Sequence, residues 1–194
     1  MPSLVVKVGG SIYDLPDLAT RLGRWLDTLA VADVLLIPGG GAMANAIRAF
    51  DKSHQLGEDK SHWLALRALT LNAYLLADLL PGSSVVSSLE ACTASHEGPA
   101  ILDSLAFARW DEGVNPDECL PHDWSATSDS LAARVAIVAE ARRLILLKST
   151  TIPEGIDWTE AGRQGFVDPL FATVLQGAQR PLEVCVVNLR TWPE

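Results

Sequence analysis

The sequence predicts an α/β fold with a largely parallel sheet. Short apolar runs alternate with longer segments of helical periodicity along the 194 residues, which is typical of consecutive strand–helix units. The first two apolar runs lead directly into glycine-rich turns. Neither an internal repeat nor a linker rich in Pro, Gly or Ser interrupts the chain, and its length suits one sizeable core. We therefore expect a single domain spanning residues 1–194.

The first half of the chain predicts two buried strands and three helices. The strands are Leu4–Val8 and residues 34–37, and both are apolar apart from Lys7. Residues 15–30 carry Leu and Trp at helical spacing and predict an amphipathic helix between the two strands. A second helix begins near Ala42, and a third, rich in Leu and Ala, spans residues 61–80.

The second half predicts further strands around one strongly helical segment. Helical spacing predicts helices over residues 128–141 and 169–175. Pro153 and three glycines indicate a loop over residues 150–165, and residues 90–120 give mixed signals. Short apolar runs predict four more strands, over residues 85–86, 100–102, 144–147 and 184–187.

Composition and charge restrict the class of partner. The chain is 48% hydrophobic and 20% charged, which is ordinary for a globular protein. Its formal net charge of -9 argues against nucleic acid or an anionic membrane as the main partner, because both attract basic surfaces. A phosphate-bearing small molecule is compatible with this charge, because a few lysines and backbone amides can dominate one site.

Targeting signals and cysteine usage favour the cytoplasm. The first ten residues lack a basic region followed by a long apolar segment, so no signal peptide is evident. No run of ~18 uncharged apolar residues suggests a membrane span. The three cysteines contain no Cys-x-x-Cys pair, which favours reduced thiols, and the spacing of His54, His96 and His122 does not fit a zinc site. We expect a cytoplasmic protein without its own metal ligands.

Two glycine turns carry the first chemical signal. Lys7-Val8-Gly9-Gly10-Ser11 ends the first strand, and Pro38-Gly39-Gly40-Gly41 joins the second strand to the helix that carries Asn45. Adjacent glycines let the backbone approach an anion, and the start of a helix directs free amides toward it. The alternatives are a tight turn with an incidental lysine and a glycine turn needed only for close packing. Neither a Walker A motif nor Gly-x-Gly-x-x-Gly is present.

A carboxylate and a second lysine complete the pattern. In Thr127-Ser128-Asp129-Ser130, at the start of a predicted helix, Ser128 or Thr127 suits the N-cap and Asp129 suits the positive end of the helix dipole. Capping alone would explain that aspartate. Lys148-Ser149-Thr150, however, puts a second lysine at the end of a strand. A carboxylate that reached both lysines would orient them toward one phosphoryl group.

These four motifs, in this order, resemble those of the amino acid kinase family, which contains uridylate, aspartate, glutamate and acetylglutamate kinases. They run from Lys7 to Thr150, and Gly165-Phe166-Val167-Asp168-Pro169 extends the match. The resemblance implies a three-layer α/β/α sandwich with a mainly parallel central sheet of about eight strands. It also implies a kinase that uses ATP and Mg2+ on a small-molecule substrate and forms at least a homodimer.

The resemblance assigns roles to the motif residues. Lys7 and Lys148 would flank the transferring phosphoryl group, and Asp129 would orient both lysines. Mg2+ would be held chiefly by nucleotide oxygens. Glycine amides and neighbouring hydroxyls would bind and border ATP, and these residues are Gly9, Gly10, Ser11, Gly40, Gly41, Ser149 and Thr150.

A narrower resemblance concerns the acceptor. The short length, Pro-Gly-Gly-Gly-x-x-Ala-Asn, Ser61-His62 and Trp-Ser-Ala-Thr-Ser-Asp-Ser are similar to the small kinases of methanofuran biosynthesis, in one-carbon metabolism. Their acceptor is (5-(aminomethyl)furan-3-yl)methyl phosphate. The residues expected to bind the acceptor are Gly39, Asn45, His62 and Trp124. The competing explanations are helix-turn geometry for Asn45, a packed or surface histidine for His62, and a core or lid residue for Trp124.

One segment departs from the family pattern and keeps other functions open. Many members carry Asp-Gly-Val-Tyr after the strand that bears the second lysine, where this chain has Glu154-Gly155-Ile156-Asp157-Trp158. The residues expected to recognise adenine and ribose therefore differ from the family pattern. Two alternatives remain beside a kinase of a small phosphate or carboxylate acceptor. They are a uridylate-kinase-like nucleoside monophosphate kinase and a non-catalytic protein that binds a nucleotide or oxyanion.

Overall fold

The computed structural model describes residues 1–29, 33–93 and 98–193, and it confirms an α/β fold with a parallel sheet. The strands are β1 (Leu4–Val8), β2 (Val34–Pro38), β3 (Ser84–Val86), β4 (Ala100–Leu102), β5 (Arg143–Lys148) and β6 (Glu183–Asn188). The helices are α1 (Leu18–Asp27), α2 (Gly41–His54), α3 (Glu58–Leu79), α4 (Ser104–Val114), α5 (Ser128–Val138), α6 (Trp158–Arg163) and α7 (Phe171–Gln176). Residue 30, the predicted end of the first helix, and His96 lie outside the described residues.

The six strands form one sheet in the order β3-β4-β2-β1-β5-β6, and all five neighbouring pairs are parallel. The expectation of about eight strands is therefore wrong for the described residues. The chain contains only six short apolar runs of strand type, and the stretch between β5 and β6 forms two short helices instead.

Helices cover both faces of the sheet. Alternate residues of β1 point to opposite faces, so Val5 packs with α5 while Val6 packs with α1. The first of these faces, called here the α5 face, is covered by α4, α5, α7 and the first half of α3. The second is covered by α1 and the last part of α3. The strands of the centre read as continuous apolar runs because both faces are buried.

Helix boundaries differ from the predicted ones by a few residues, and three of the differences have local reasons. Helix α1 begins at Leu18, after Asp17 at the N-cap position. Leu15, the predicted start, precedes a proline and is therefore disfavoured in helical geometry. Helix α3 begins at Glu58, where two acidic residues occupy its first turn and suit the helix dipole. Helix α5 ends at Val138, because Glu140 adopts a left-handed φ of 51°.

Two helices were not predicted. Helix α4 lies in the segment of mixed signals, and α6 lies in the segment interpreted as a loop, so that interpretation is wrong for Trp158–Arg163. Each follows an aspartate whose side chain accepts two backbone amides of the first turn, Asp103 for α4 and Asp157 for α6. No helix within the described residues is long and apolar enough to cross a membrane.

Candidate functional site

Lys7 and Lys148 lie on the same face of the sheet, at the carboxyl ends of two neighbouring strands. In the parallel register Lys7 pairs with Leu146, so Lys148 lies two residues further along β5. Residues two apart on a strand share a face, and Leu146 belongs to the α5 face. The carboxyl ends of parallel strands are where α/β proteins usually bind ligands.

One carboxylate joins the two lysines. Asp129 Oδ1 lies 2.9 Å from Lys7 Nζ, and Asp129 Oδ2 lies 2.7 Å from Lys148 Nζ. Lys148 Nζ also donates to the carbonyl oxygen of Phe166 at 2.8 Å. All three charged residues are buried: Lys7 is 4% exposed, Asp129 5% and Lys148 8%. The structure thus brings the three residues expected to be catalytic into one buried cluster, called here the charge triad.

The triad carries an excess of positive charge. Burial acts to raise the pKa of Asp129, but the two ammonium groups outweigh it and hold that pKa below its ordinary value. Burial, and then the charge of Lys7, lower the pKa of Lys148 to about 8, while Asp129 opposes that change. Lys148 is therefore mostly protonated at neutral pH. Two cations and one anion in a buried position favour binding of a further anion.

Helix α5 presents Asp129 through a first turn that is capped from elsewhere in the chain. Thr127 occupies the N-cap position, but its side chain does not bond the helix backbone. Instead Asp168 Oδ2 accepts the backbone N–H groups of Thr127 and Ser130, each at 2.9 Å. The Asp168 carboxylate also accepts both side-chain hydroxyls. Sequence reasoning missed this role, since the only signal was the position of Asp168 in the segment that extends the motif match.

The two glycine turns pack directly against each other. A Cβ atom on Gly10 would collide with the backbone nitrogen of Gly41, and one on Gly39 would collide with the nitrogen of Gly10. Gly41 also has a φ of 52°, which favours glycine. The Asn72 amide donates to the carbonyls of Gly39 and Gly40 at 2.7 and 2.9 Å. Close packing thus accounts for these glycines, and it also holds the start of α2 next to the end of β1.

The residues expected to border a nucleotide lie at the ends of β1 and β5. Gly9 packs against the backbone at Leu147, where a Cβ atom would collide with the carbonyl oxygen. The hydroxyls of Ser11 and Ser149 are 2.7 Å apart and form a hydrogen bond. Thr150 follows as an exposed residue. Ser149 and Thr150 directly follow Lys148 in the chain, and Ser11 follows Lys7 by four residues.

A cavity of about 580 Å³ opens beside the glycine turns, and α2, α3, α4 and the segment before α5 contribute to its wall. Thr127 and Ser128, the two residues that precede Asp129 in the chain, line it. Gly39, Gly9, Ser149, Thr150 and the triad itself are not part of the lining. The predicted site residues that do line the cavity are Gly10, Ser11, Gly40, Gly41, Asn45, His62 and Trp124.

His62 is part of an aromatic cluster that sequence reasoning did not foresee. Its ring stacks on His122 with centroids 4.4 Å apart, and Trp63 meets His122 edge-on at 4.9 Å. Burial, and then the proximity of His122, lower the pKa of His62 to about 4, so His62 is neutral at physiological pH. His122 Nδ1 lies 2.8 Å from Asp59, and its Nε2 lies 3.5 Å from Glu112.

Trp124 carries a cation against its ring at the cavity wall. The Arg48 guanidinium lies 4.2 Å from the ring centroid, and the Trp124 indole N–H donates to Asp51 at 3.2 Å. Asn45 lies one turn before Arg48 on the same side of α2, and both line the cavity. Arg48 could have been suspected from this spacing, whereas the contact with Trp124 required the fold.

The segment that departs from the family pattern forms a turn at Glu154 and Gly155 and leads into α6, which begins at Trp158. Asp157 caps α6, and the Trp158 ring lies edge-on to Phe171 at 5.1 Å. Trp158 is therefore a packing residue. Within the described part of the chain, no group of three or more His, Cys, Asp and Glu side chains could hold a metal ion.

Comparison with known proteins found a relative in sequence and several solved structures of the same fold. The chain is 26% identical over 145 residues to (5-(aminomethyl)furan-3-yl)methyl phosphate kinase of Methanocaldococcus jannaschii. That match covers 73% of this chain and 63% of the relative, so the chain spans less than two thirds of the relative's length.

Solved uridylate kinases share the fold. The enzyme of Archaeoglobus fulgidus superposes with a TM-score of 0.65 at 16% identity, covering 96% of this chain and 92% of the other. The enzyme of Ureaplasma parvum gives 0.61 at 16% identity, covering 96% and 90%. A model of the amino acid kinase family matches residues 2–151, the part of the chain that holds all four motifs and the charge triad. The chain belongs to the amino acid kinase family.

Proposed function

We propose that the protein is an ATP-dependent kinase that transfers the γ-phosphoryl group to a small phosphate or carboxylate acceptor. The observation that carries the proposal is the charge triad, in which Lys7 and Lys148 share Asp129 at the ends of adjacent parallel strands. Family membership supports the same reaction class. The cytoplasm, where ATP is abundant, is the proposed location.

The triad suits the charge changes of phosphoryl transfer. An acceptor oxygen attacks the γ-phosphorus, the new P–O bond forms, and the bond to the β,γ-bridging oxygen breaks as ADP leaves. Negative charge shifts among these oxygens in the transition state, and positioned cations stabilise it. Lys7 and Lys148 would contact the transferring group, while Asp129 holds both ammonium groups at fixed positions. No protein nucleophile is needed.

The residues present fit ATP with Mg2+ bound through the nucleotide. Both oxygens of Asp129 are engaged by lysines, and the Asp168 carboxylate is engaged by Thr127 and Ser130. Mg2+ would therefore be held mainly by phosphate oxygens and water, where it neutralises their charge. The hydroxyls of Ser11, Ser149 and Thr150 would border the nucleotide.

The cavity supports an acceptor with a phosphate at one end and an amine at the other. Gly10, Gly40 and Gly41 line the cavity at the start of α2, where backbone amides would bind an acceptor phosphate. His62 precedes Asn72 by ten residues on α3, which places the aromatic cluster about 15 Å along the helix from the glycine turns. Glu112 lines this outer region and is paired only with His122, at 3.5 Å, among the described residues.

This arrangement favours (5-(aminomethyl)furan-3-yl)methyl phosphate as the acceptor, the compound named for the relative of Methanocaldococcus jannaschii. The phosphate would lie at the glycine turns, the furan ring between Trp63 and Trp124, and the ammonium group near Glu112. A nucleoside monophosphate such as UMP is the second candidate, because the solved uridylate kinases share the fold. UMP offers no cation for Glu112, which makes the furan compound the better match.

The proposal is tested by ADP release with Mg2+ and a panel of acceptors: the furan phosphate, UMP, aspartate and glutamate. The chain has four lysines, so Lys52→Ala and Lys60→Ala, both at exposed positions, are matched controls for Lys7→Ala and Lys148→Ala. We expect the site variants to lose at least about a hundredfold in kcat and the controls to keep it. Unchanged turnover in both folded site variants would remove the kinase proposal. ATP binding by calorimetry without ADP formation would favour the non-catalytic alternative.

We also propose that the protein forms a homo-oligomer, at least a dimer. Leu71, Tyr74 and Leu75 are 54%, 56% and 41% exposed, and their spacing places them on one side of α3. Large apolar side chains exposed together on one helix are typical of a surface that a second copy covers. Light scattering measures the mass directly.

A further inference from the structure

Asp168 is a buried carboxylate without an ion-pair partner among the residues that the structure describes. It is 6% exposed, and its oxygens accept four hydrogen bonds from the backbone and hydroxyls of Thr127 and Ser130. Burial of a carboxylate is costly unless it is hydrogen-bonded. The bonds, together with the positive end of the α5 dipole, compensate that cost. The phosphoryl-transfer proposal does not use this residue.

The segment that contains Asp168 touches the triad from two sides. Phe166, two residues earlier, accepts the hydrogen bond of the Lys148 ammonium through its carbonyl oxygen. Thr127 and Ser130, the partners of Asp168, lie on either side of Asp129 in the first turn of α5. Residues 166–168 therefore link the strand end that carries Lys148 to the helix start that carries Asp129.

We propose that Asp168 is a positioning residue for phosphoryl transfer, which fixes the first turn of α5 so that Asp129 holds Lys7 and Lys148 in one geometry. The catalytic consequence rests on the proposed kinase function, whereas the geometric consequence does not. A displacement of about 1 Å at a reacting centre can lower a rate about a hundredfold. Loosening the first turn of α5 would displace Asp129 and, with it, both lysines.

The competing view is that Asp168 only stabilises the fold as a helix cap. The chain offers a matched control, because Asp157 caps α6 through the backbone amides of Thr159 and Glu160 and contacts no member of the triad. Asp157→Asn and Asp157→Ala remove a cap of the same chemical type. Asp168→Asn and Asp168→Ala remove the charge alone and the whole carboxylate, respectively. Thermal unfolding gives the loss of stability in each variant.

The readout that does not depend on activity is the titration of Lys148. With lysine labelled by carbon-13 and nitrogen-15, NMR follows the four lysine side chains, and Lys148→Arg assigns the signal of interest. The groups that face its ammonium are Lys7 from β1, Asp129 from α5, and the Phe166 carbonyl and Asp168 beyond α6. Asp168→Asn removes a nearby negative charge, so we expect the pKa of Lys148 to fall below its wild-type value.

The kinetic readout separates positioning from binding. We expect Asp168→Ala to lower kcat at least about tenfold while the KM for ATP and acceptor changes less than about threefold. Asp168→Asn should recover part of kcat, because its amide oxygen can still accept the backbone N–H groups. The Asp157 variants should leave kcat and the Lys148 titration unchanged.

Three outcomes decide the inference. If the Asp168 variants change neither the Lys148 titration nor kcat more than the Asp157 variants do, Asp168 is only a cap and the inference is overturned. If the wild-type protein turns over no acceptor but Asp168→Ala shifts the Lys148 titration further than Asp168→Asn, which removes the same charge, the positioning role stands and the kinase proposal fails. An equal shift in both variants, without a loss of kcat beyond that of the Asp157 variants, reports only the lost charge and also overturns the inference. Should Asp168→Ala not fold, Asp168→Ser takes its place in this comparison.

Discussion

Lys148 sets an alkaline limit for the proposed reaction. Burial and the charge of Lys7 lower its pKa to about 8, against the opposing effect of Asp129. If transfer requires the ammonium form, kcat/KM follows the protonated fraction of Lys148. That fraction falls from about 0.9 at about pH 7 to about 0.1 at about pH 9. We therefore expect kcat/KM to fall about tenfold over this range.

The assay measures initial rates of ADP release at subsaturating substrate from about pH 6 to about pH 9.5, at constant ionic strength. Lys148→Arg is the control, because a guanidinium does not titrate in this range. Its residual activity should show no alkaline fall. Ionisation of the acceptor would instead give the same fall in both proteins. A flat wild-type profile, or an equal fall in Lys148→Arg, would refute the assignment of this limit to Lys148.

Three further predictions concern the turn, the cavity and the exposed helix face. Asn72→Ala leaves the carbonyls of Gly39 and Gly40 without their donor and should lower the free energy of unfolding by about 2 kcal/mol or more in urea. Glu112→Gln should raise the KM for an amine-bearing acceptor at least about tenfold and leave the KM for ATP unchanged in steady-state kinetics. Tyr74→Glu should lower the mass measured by light scattering to that of one chain.

Each of these predictions has a clear contrary result. Wild-type stability in Asn72→Ala would mean that the glycine carbonyls find other donors. An equal KM increase for acceptors with and without an amine would mean that Glu112 shapes the cavity and does not recognise charge. An unchanged mass in Tyr74→Glu would separate the exposed face of α3 from the oligomer interface.

The strands were predictable because strands at the centre of a parallel sheet are buried on both faces and therefore consist almost entirely of apolar residues. The residues of β1 and β2 are buried on both faces, so their apolar runs are visible in the sequence, and Lys7 is conspicuous within one of them. The first residues of α4 and α6 could also have been predicted from the sequence. Asp103 and Asp157 each precede a helix as N-cap residues, and Asp157 is followed by Glu160 in a capping pattern.

Contacts between distant segments were not predictable from local patterns. Asp168 caps a helix that begins about forty residues earlier in the chain. The sequence around Thr127 therefore gives no sign that Asp168, and not the Thr127 side chain, accepts the free amides of the first turn. His62 and His122 stack only because α3 and the segment before α5 meet in the fold. The glycine turns were predicted to bind an anion, with close packing as the alternative. The structure supports the packing explanation, because a Cβ atom on Gly10 or Gly39 would collide with the backbone of the other turn. Anion binding at these turns stays a prediction.

The imbalance of charge in the triad distinguishes it from a structural ion pair of the same chain. Asp111 and Arg134 are also buried and form two hydrogen bonds of 2.8 Å, and Arg134 donates a further hydrogen bond to the exposed Glu118 at 3.0 Å. Two carboxylates thus engage the one guanidinium, so no positive charge there is left uncompensated. The triad has one carboxylate for two lysines: Asp129 Oδ2 accepts a hydrogen bond from Lys148, and Oδ1 forms an ion pair with Lys7 without hydrogen-bond geometry. A fold that needed only stability would gain nothing from a second buried cation, so the uncompensated positive charge is best explained by an anion that completes the site.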